Sequence, residues 1–132
     1  MLKAAQAVNP EVEIIGVQAE KAPSFAKALK QGEWVVLDDA DTIADGLAAR
    51  SVFQLPYVIM KDHIKEVVLL TEDEILEGIR MALITTHNLA EGAGAASLIA
   101  AVKIKEKLKG KKVALIMSGG NLDRAHLELA LR

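Results

Sequence analysis

The chain has 132 residues, of which 52% are hydrophobic, 26% charged and 3% aromatic, and its formal net charge at pH 7 is −2. This length predicts one domain or a part of one, and the apolar fraction excludes an intrinsically disordered chain. The absence of cysteine excludes disulfides and thiolate catalysis. No apolar run reaches the roughly 18 residues of a membrane span, and nothing near Met1 resembles a signal peptide. We therefore expect a soluble cytoplasmic protein with no membrane partner and, given its slight negative charge and few aromatic side chains, no nucleic-acid partner.

The hydrophobic pattern of the first half of the chain alternates between the helical and the strand period. It predicts helices at 2–8, 23–29, 43–52 and 56–64, and strands at 12–17 and, more weakly, 34–37. The first helix should stop at Asn9-Pro10, and Gly46 should interrupt the third.

The second half of the chain continues the alternation. It predicts strands at 66–70 and 113–117, and helices from 71 to about 88, from 92 to 108 and from 122 to 131. Thr71 and Glu74 have the spacing of a capping box, and Asn121 stands where a cap would begin the last helix. Alternating strands and helices favour right-handed crossovers, so we expect an α/β fold with a parallel sheet in three α/β/α layers.

Two glycine-containing segments are candidate ligand sites. The first, Ser118-Gly119-Gly120-Asn121, follows the predicted strand at 113–117, and open α/β folds bind ligands at the carboxyl end of their strands. The alternative is a structural strand-to-helix turn, and the residues alone favour neither. The second, Glu91-Gly92-Ala93-Gly94, opens a helix and would expose backbone amides. Here close helix packing is the stronger interpretation, although packing does not require the acid at Glu91.

Other polar clusters favour structural interpretations. The acids of 38–45 lack the spacing of a calcium loop and predict a solvated segment. His63, His87 and His126 lack metal-ligand spacing. The lysines of 103–112 would complement a helix dipole, with an anionic partner as the lesser alternative. Ser118 has no nucleophile-elbow motif around it.

Five segments, taken in order, resemble the threonine ammonia-lyases (threonine dehydratases). That group belongs to the pyridoxal-phosphate-dependent family that includes serine racemase. The resemblance covers essentially the whole chain, and the segments are GVQAE (16–20), TIADGLAAR (42–50), VVLLTEDEI (67–75), LAEGAGAAS (89–97) and LIMSGGNLD (115–123). It implies a fold-type II enzyme that uses pyridoxal phosphate to remove ammonia from L-threonine or L-serine. We also expect a homo-oligomer.

The resemblance also implies roles for particular residues. Ser118 would hydrogen-bond the pyridine nitrogen of the cofactor, and a neutral hydroxyl there leaves a moderate electron sink suited to β-elimination. Glu91 would lie near the cofactor, Gly46 would pack against its ring, and Gly119 and Asn121 would shape the turn beside it.

The chain also departs from the family pattern. Where serine racemase has two carboxylates and a carbonyl around a divalent cation, this chain has Gln18, Ser24 and the carbonyl of Ala22, so only Ala22 would remain as a metal ligand. Ala49 replaces a substrate-side serine of serine racemase, which favours the ammonia-lyase over the racemase.

Three family motifs are not found in the 132 residues: SFKxRG with its Schiff-base lysine, the SSGNH substrate loop and the glycine-rich phosphate loop. We therefore expect residues 1–132 to form the C-terminal portion of the cofactor-binding catalytic domain, incomplete and inactive alone. Its partners would be an amino-acid substrate and the remainder of the enzyme. The alternative is a non-catalytic α/β module that self-associates through an exposed sheet edge.

Overall fold

The structure is a computed structural model that describes residues 1–132, the side chain of Lys65 excepted. Its elements are α1 (Leu2–Val8), β1 (Ile14–Ala19), α2 (Ser24–Gln31), a 3-10 helix (Asp45–Leu47), α3 (Gln54–Met60), β2 (Ile64–Leu70), α4 (Glu72–Thr86), α5 (Gly92–Lys103), α6 (Lys105–Leu108) and α7 (Arg124–Ala130). The predicted α/β class is confirmed. In the described part of the chain, no helix has the length and apolar character needed to cross a membrane.

Strands β1 and β2 lie side by side and run in the same direction. Ile14 pairs with Ile64 and Ala19 with Leu70, with one irregularity between Ile14 and Gly16. The Glu20 amide extends the ladder by donating to the Leu70 carbonyl over 2.7 Å. This confirms the predicted parallel pairing, and it brings the segments that follow the two strands to one edge of the sheet.

Helices α4 and α5 pack on each other and supply half of the residues of the main hydrophobic core. The face predicted for α4 is buried at Ile75, Ile79 and Ala82, and α5 contributes Ala95, Ala96 and Ile99. Gly78 permits the close approach of the two helices, because a Cβ there would lie 3.0 Å from the Ile99 side chain. Small residues on both helices therefore determine how near α4 and α5 lie to each other.

The predicted capping box begins α4 and is confirmed. The Thr71 hydroxyl accepts from the Glu74 amide over 3.2 Å, and the Glu74 carboxylate accepts from the Thr71 amide over 2.8 Å. The helix ends at Thr86, because His87 adopts a left-handed conformation with φ of 56°. Two otherwise unpaired amides at the helix start are thus satisfied locally.

Three of the predicted elements are wrong. Residues 113–117 form no strand, and Val113, Leu115, Ile116 and Met117 are 43–47% exposed. An apolar run becomes a strand only where a neighbouring strand completes its backbone hydrogen bonds; here the Ile116 carbonyl accepts from the Ser97 hydroxyl over 2.8 Å. The weak strand at 34–37 is reduced to one antiparallel bridge between Val36 and Ser51. Of the helix predicted at 43–52, only the three residues Asp45–Leu47 are helical, and they form a 3-10 helix.

Several helix boundaries also differ from the prediction: α2 extends to Gln31 rather than to 29, and α3 is Gln54–Met60 rather than 56–64, because Ile64 begins β2. The last helix is capped by Asp123 rather than by Asn121, because the Asp123 carboxylate accepts from the His126 amide over 2.8 Å. The helix predicted at 92–108 is divided at Ile104 into α5 and α6.

Candidate functional site

The two glycine-containing segments singled out from the sequence lie in direct contact. The Glu91 amide donates to the Gly119 carbonyl over 3.1 Å, which joins the start of α5 to the 118–121 turn. A Cβ on Gly94 would overlap with the Gly119 carbonyl oxygen, so the turn lies directly on the first turn of α5. Gly94 is therefore explained by backbone packing, as the structural interpretation of this segment proposed.

Gly46 joins the same cluster from the 3-10 helix. A Cβ there would lie 2.7 Å from the Ala93 Cβ and 3.9 Å from the Glu91 carboxylate, and a Cβ on Gly119 would overlap with that carboxylate. The Glu91 carboxylate thus lies between two glycines that are 73 positions apart in the chain. Its side chain does not cap α5, although Glu91 is the N-cap residue.

Glu91 and Asn121 line a common cleft of about 20 Å³, together with Ile43, Asp45, Gly92, Leu122, Asp123 and His126. This volume holds little more than one water molecule, so the chain presents a polar surface here rather than an enclosing pocket. A larger depression of about 260 Å³ lies elsewhere, against Ala26, Leu29, Lys30 and Val67. It is open to solvent and contains no residue predicted to bind the cofactor, so we place the candidate site at the smaller cleft.

Ser118 immediately precedes Gly119 and is exposed, but it does not line this cleft. Its hydroxyl is therefore accessible and not taken up in the protein core. Asn121, also exposed, contributes an amide to the cleft itself. Of the residues predicted to bind the cofactor, the structure thus brings Gly46, Glu91, Gly119 and Asn121 together and places Ser118 next to them in the chain.

Asp123 and His126 belong to the cleft, although sequence reasoning did not assign them to it. The His126 ring nitrogen Nδ1 lies 2.6 Å from the Asp123 carboxylate. The hydrogen bond from the His126 backbone amide, aided by the ring, holds the pKa of Asp123 below its ordinary value. The spacing of an aspartate three residues before a histidine at a helix start could have indicated this cap and pair.

The region compared with the serine racemase metal site is built from neutral hydrogen bonds. The Gln18 carboxamide accepts from the Ala26 amide over 2.9 Å and donates to the Ser24 hydroxyl over 3.4 Å. Ala22 and Ser24 are both buried. Among the described residues, no group of three histidine, aspartate or glutamate side chains is arranged to hold a metal ion. The Gln18 side chain therefore stabilises the first turn of α2 by direct hydrogen bonds, although it lies in β1.

Comparison with known proteins gives one consistent result. The family described as "Pyridoxal-phosphate dependent enzyme" matches residues 1–119. An L-threonine ammonia-lyase of Thermotoga maritima is 41% identical over 120 residues, which cover 91% of this chain and 30% of that protein. The serine racemase of Schizosaccharomyces pombe is 29% identical over 120 residues, or 91% of this chain and 37% of that protein.

Solved structures of the same kinds of enzyme have a similar fold. A processed form of threonine deaminase isoform 2 from Solanum lycopersicum superposes with a TM-score of 0.88 at 29% identity, covering 98% of this chain and 38% of that one. Maize serine racemase gives 0.87 at 27% identity, with 98% and 42% covered. The chain spans about 30% of the length of the Thermotoga relative. The predicted fold-type II architecture and the family resemblance are thereby confirmed.

Proposed function

The chain belongs to the family of pyridoxal-phosphate-dependent enzymes, and we propose from this that it supplies one wall of the cofactor site of an L-threonine ammonia-lyase. The reaction would convert L-threonine to 2-oxobutanoate and ammonia, with L-serine as a second substrate. The 41% identity to the Thermotoga L-threonine ammonia-lyase supports this over a racemase, and so does Ala49.

The residues around the cleft fit such a cofactor. When bound, pyridoxal phosphate supplies an electron sink that stabilises negative charge at the substrate α-carbon. The exposed hydroxyl of Ser118 would donate to the pyridine nitrogen. Because a hydroxyl carries no charge, it orients the ring without holding that nitrogen protonated, which suits an elimination.

The other residues would shape the site and orient the cofactor ring within it. A side chain at Gly46 would collide with Ala93 and one at Gly119 with the Glu91 carboxylate, so only glycine lets these two backbone segments lie close to the start of α5, where the ring would stand. Glu91 and Asn121 would accept and donate hydrogen bonds at the ring edge. The observation that carries the proposal is this convergence of Gly46, Glu91 and Gly119 from three separate segments.

We propose further that residues 1–132 act as a portion of a catalytic domain. The SFKxRG motif, whose lysine would form the Schiff base, is not within these residues, so the 132-residue polypeptide alone should show no turnover. The remaining segments of such a site would come from the rest of the enzyme, as the 30% coverage of the Thermotoga relative suggests.

A chimera tests the assignment. The matching segment of the Thermotoga ammonia-lyase is replaced by this chain, and the purified product is assayed for bound pyridoxal phosphate, for 2-oxobutanoate from L-threonine and for D-serine from L-serine. We expect cofactor binding, 2-oxobutanoate and no D-serine. Dominant racemisation would favour the racemase alternative, and a folded chimera that binds no cofactor would refute the proposal.

Within this chimera, Ser118→Ala should lower kcat roughly two- to tenfold, because a hydrogen bond between neutral groups contributes about 0.5–1.5 kcal/mol. Ser51→Ala makes the same chemical change in the Val36–Ser51 bridge, away from the cleft. It should leave kcat unchanged. Equal effects of the two substitutions would remove Ser118 from the proposed site.

A further inference from the structure

The loop that carries Gly46 is attached to α4 by one side chain, that of Glu72. One carboxylate oxygen accepts from the Thr42 hydroxyl over 2.8 Å, and the other accepts from the Ile43 amide, also over 2.8 Å. Both contacts join residues about 30 positions apart in the chain. Glu72 is thus a two-oxygen clamp between the first residue of α4 and the loop.

The clamp extends into the loop through Thr42, whose side chain is buried. The Thr42 hydroxyl, while donating to Glu72, also accepts from the Ala44 amide over 3.3 Å. Ala44 is fully buried against Gly92, where an added Cβ would lie 3.1 Å from the Ala44 Cα and Cβ. The loop is therefore held between α4 on one side and the start of α5 on the other.

The position of Gly46 follows from these contacts of the loop. The Leu47 amide donates to the Ala44 carbonyl over 2.7 Å, forming the 3-10 helix that contains Gly46. That helix sets Gly46 against Ala93 and near the Glu91 carboxylate. Since the loop has only three helical residues of its own, its position depends on contacts with other elements.

We infer that Glu72 is a positioning residue, which holds the 42–47 loop so that Gly46 stands beside Glu91. A carboxylate suits this role because each of its two oxygens accepts one of the two hydrogen bonds. Helix capping does not explain it, since the capping box of α4 uses Thr71 and Glu74. The consequence for cofactor binding rests on the proposed function; the clamp itself does not.

Amide hydrogen exchange in the 132-residue chain tests the clamp without any cofactor. Glu72→Ala should speed exchange at Ile43, Ala44 and Leu47 about tenfold, as expected for the loss of hydrogen bonds to a charged group. Exchange at Leu70 and Ala95 in the core should not change. Asp73→Ala is the matched control, because exposed Asp73 carries the same charge in the same helical turn. Equal acceleration in both variants would overturn the inference.

A second pair of variants keeps the test decisive if Glu72→Ala fails to fold. Thr42→Val preserves shape but removes the hydroxyl, and should speed exchange at Ala44. Thr42→Ser retains the hydroxyl and should restore the slow exchange. Fast exchange in both, or in neither, would contradict the clamp.

The chimera then tests positioning. Glu72→Ala should raise the Kd for pyridoxal phosphate on the order of tenfold, since small misplacements at a binding site are costly, while Asp73→Ala should not. If the parent chimera binds the cofactor and Glu72→Ala binds it equally well, the positioning role is refuted. If the parent chimera binds none, the proposed function fails, and hydrogen exchange alone decides the clamp.

Discussion

Replacing Gly94 by alanine has two opposite effects on stability: it raises the helix propensity of α5, and it creates a steric overlap with the 118–121 turn. Gly94 is the third residue of α5, and alanine is favoured over glycine within a helix by up to about 1 kcal/mol. At this position, however, a Cβ would overlap with the Gly119 carbonyl oxygen and lie 3.1–3.2 Å from the Gly119 carbonyl carbon and amide nitrogen. Because these are backbone atoms, no side-chain rotation relieves the contact, and the 118–121 turn must move.

The structure allows the size of the effect to be worked out. Displacing the turn breaks the hydrogen bond from the Glu91 amide to the Gly119 carbonyl, which contributes about 0.5–1.5 kcal/mol. Overpacking of this kind costs about 1–3 kcal/mol. After the gain in helix propensity is subtracted, Gly94→Ala should lower the free energy of unfolding by about 1–3 kcal/mol.

Urea unfolding of the 132-residue chain measures this change, and amide exchange at Glu91 locates it. Gly110→Ala is the control. A Cβ at Gly110 meets no atom within 4 Å, but the φ of 76° strains alanine, so stability should fall with Glu91 exchange unaltered. A Gly94→Ala chain more stable than the parent, or one with unchanged Glu91 exchange, would refute the reasoning.

Two further predictions concern charge and surface. Burial tends to raise the pKa of Glu74, but hydrogen bonds from Lys103 and Thr71 outweigh it and hold that pKa below its ordinary value of 4.5. Its stabilising contribution is therefore complete above pH 4.5 and lost as pH falls through the lower folded-state pKa, so the difference in unfolding free energy between the parent and Glu74→Gln should shrink below pH 4.5. The exposed apolar side chains of 113–117 should make the isolated chain self-associate, which light scattering measures. A monomer at high concentration would contradict this.

Elements defined by near neighbours were predicted well. The capping box of α4 depends on two residues three positions apart, Thr71 and Glu74, and forms as predicted. Helix α1 also has the predicted bounds. In each case the hydrogen bonds or the hydrophobic period lie within a few residues, so the sequence pattern contains the required information.

Elements that depend on distant partners were predicted poorly. The 113–117 segment has the apolar pattern of a strand, but the described chain offers it no neighbouring strand. The 43–52 segment has a helical pattern, yet its backbone is held by Glu72 and by packing on Gly92. Long-range contacts outweighed local propensity in both places.

For the site, the sequence by itself determined the family and the residues to consider, because five short motifs in fixed order identify it. It also placed glycines, which have no side chain, at positions 46, 94 and 119. Only the tertiary structure decided that these glycines meet around Glu91 and that Glu72 holds the loop beside them. The physical reason is that steric exclusion and hydrogen bonding act across space, between residues that the sequence separates by about 30 to 70 positions.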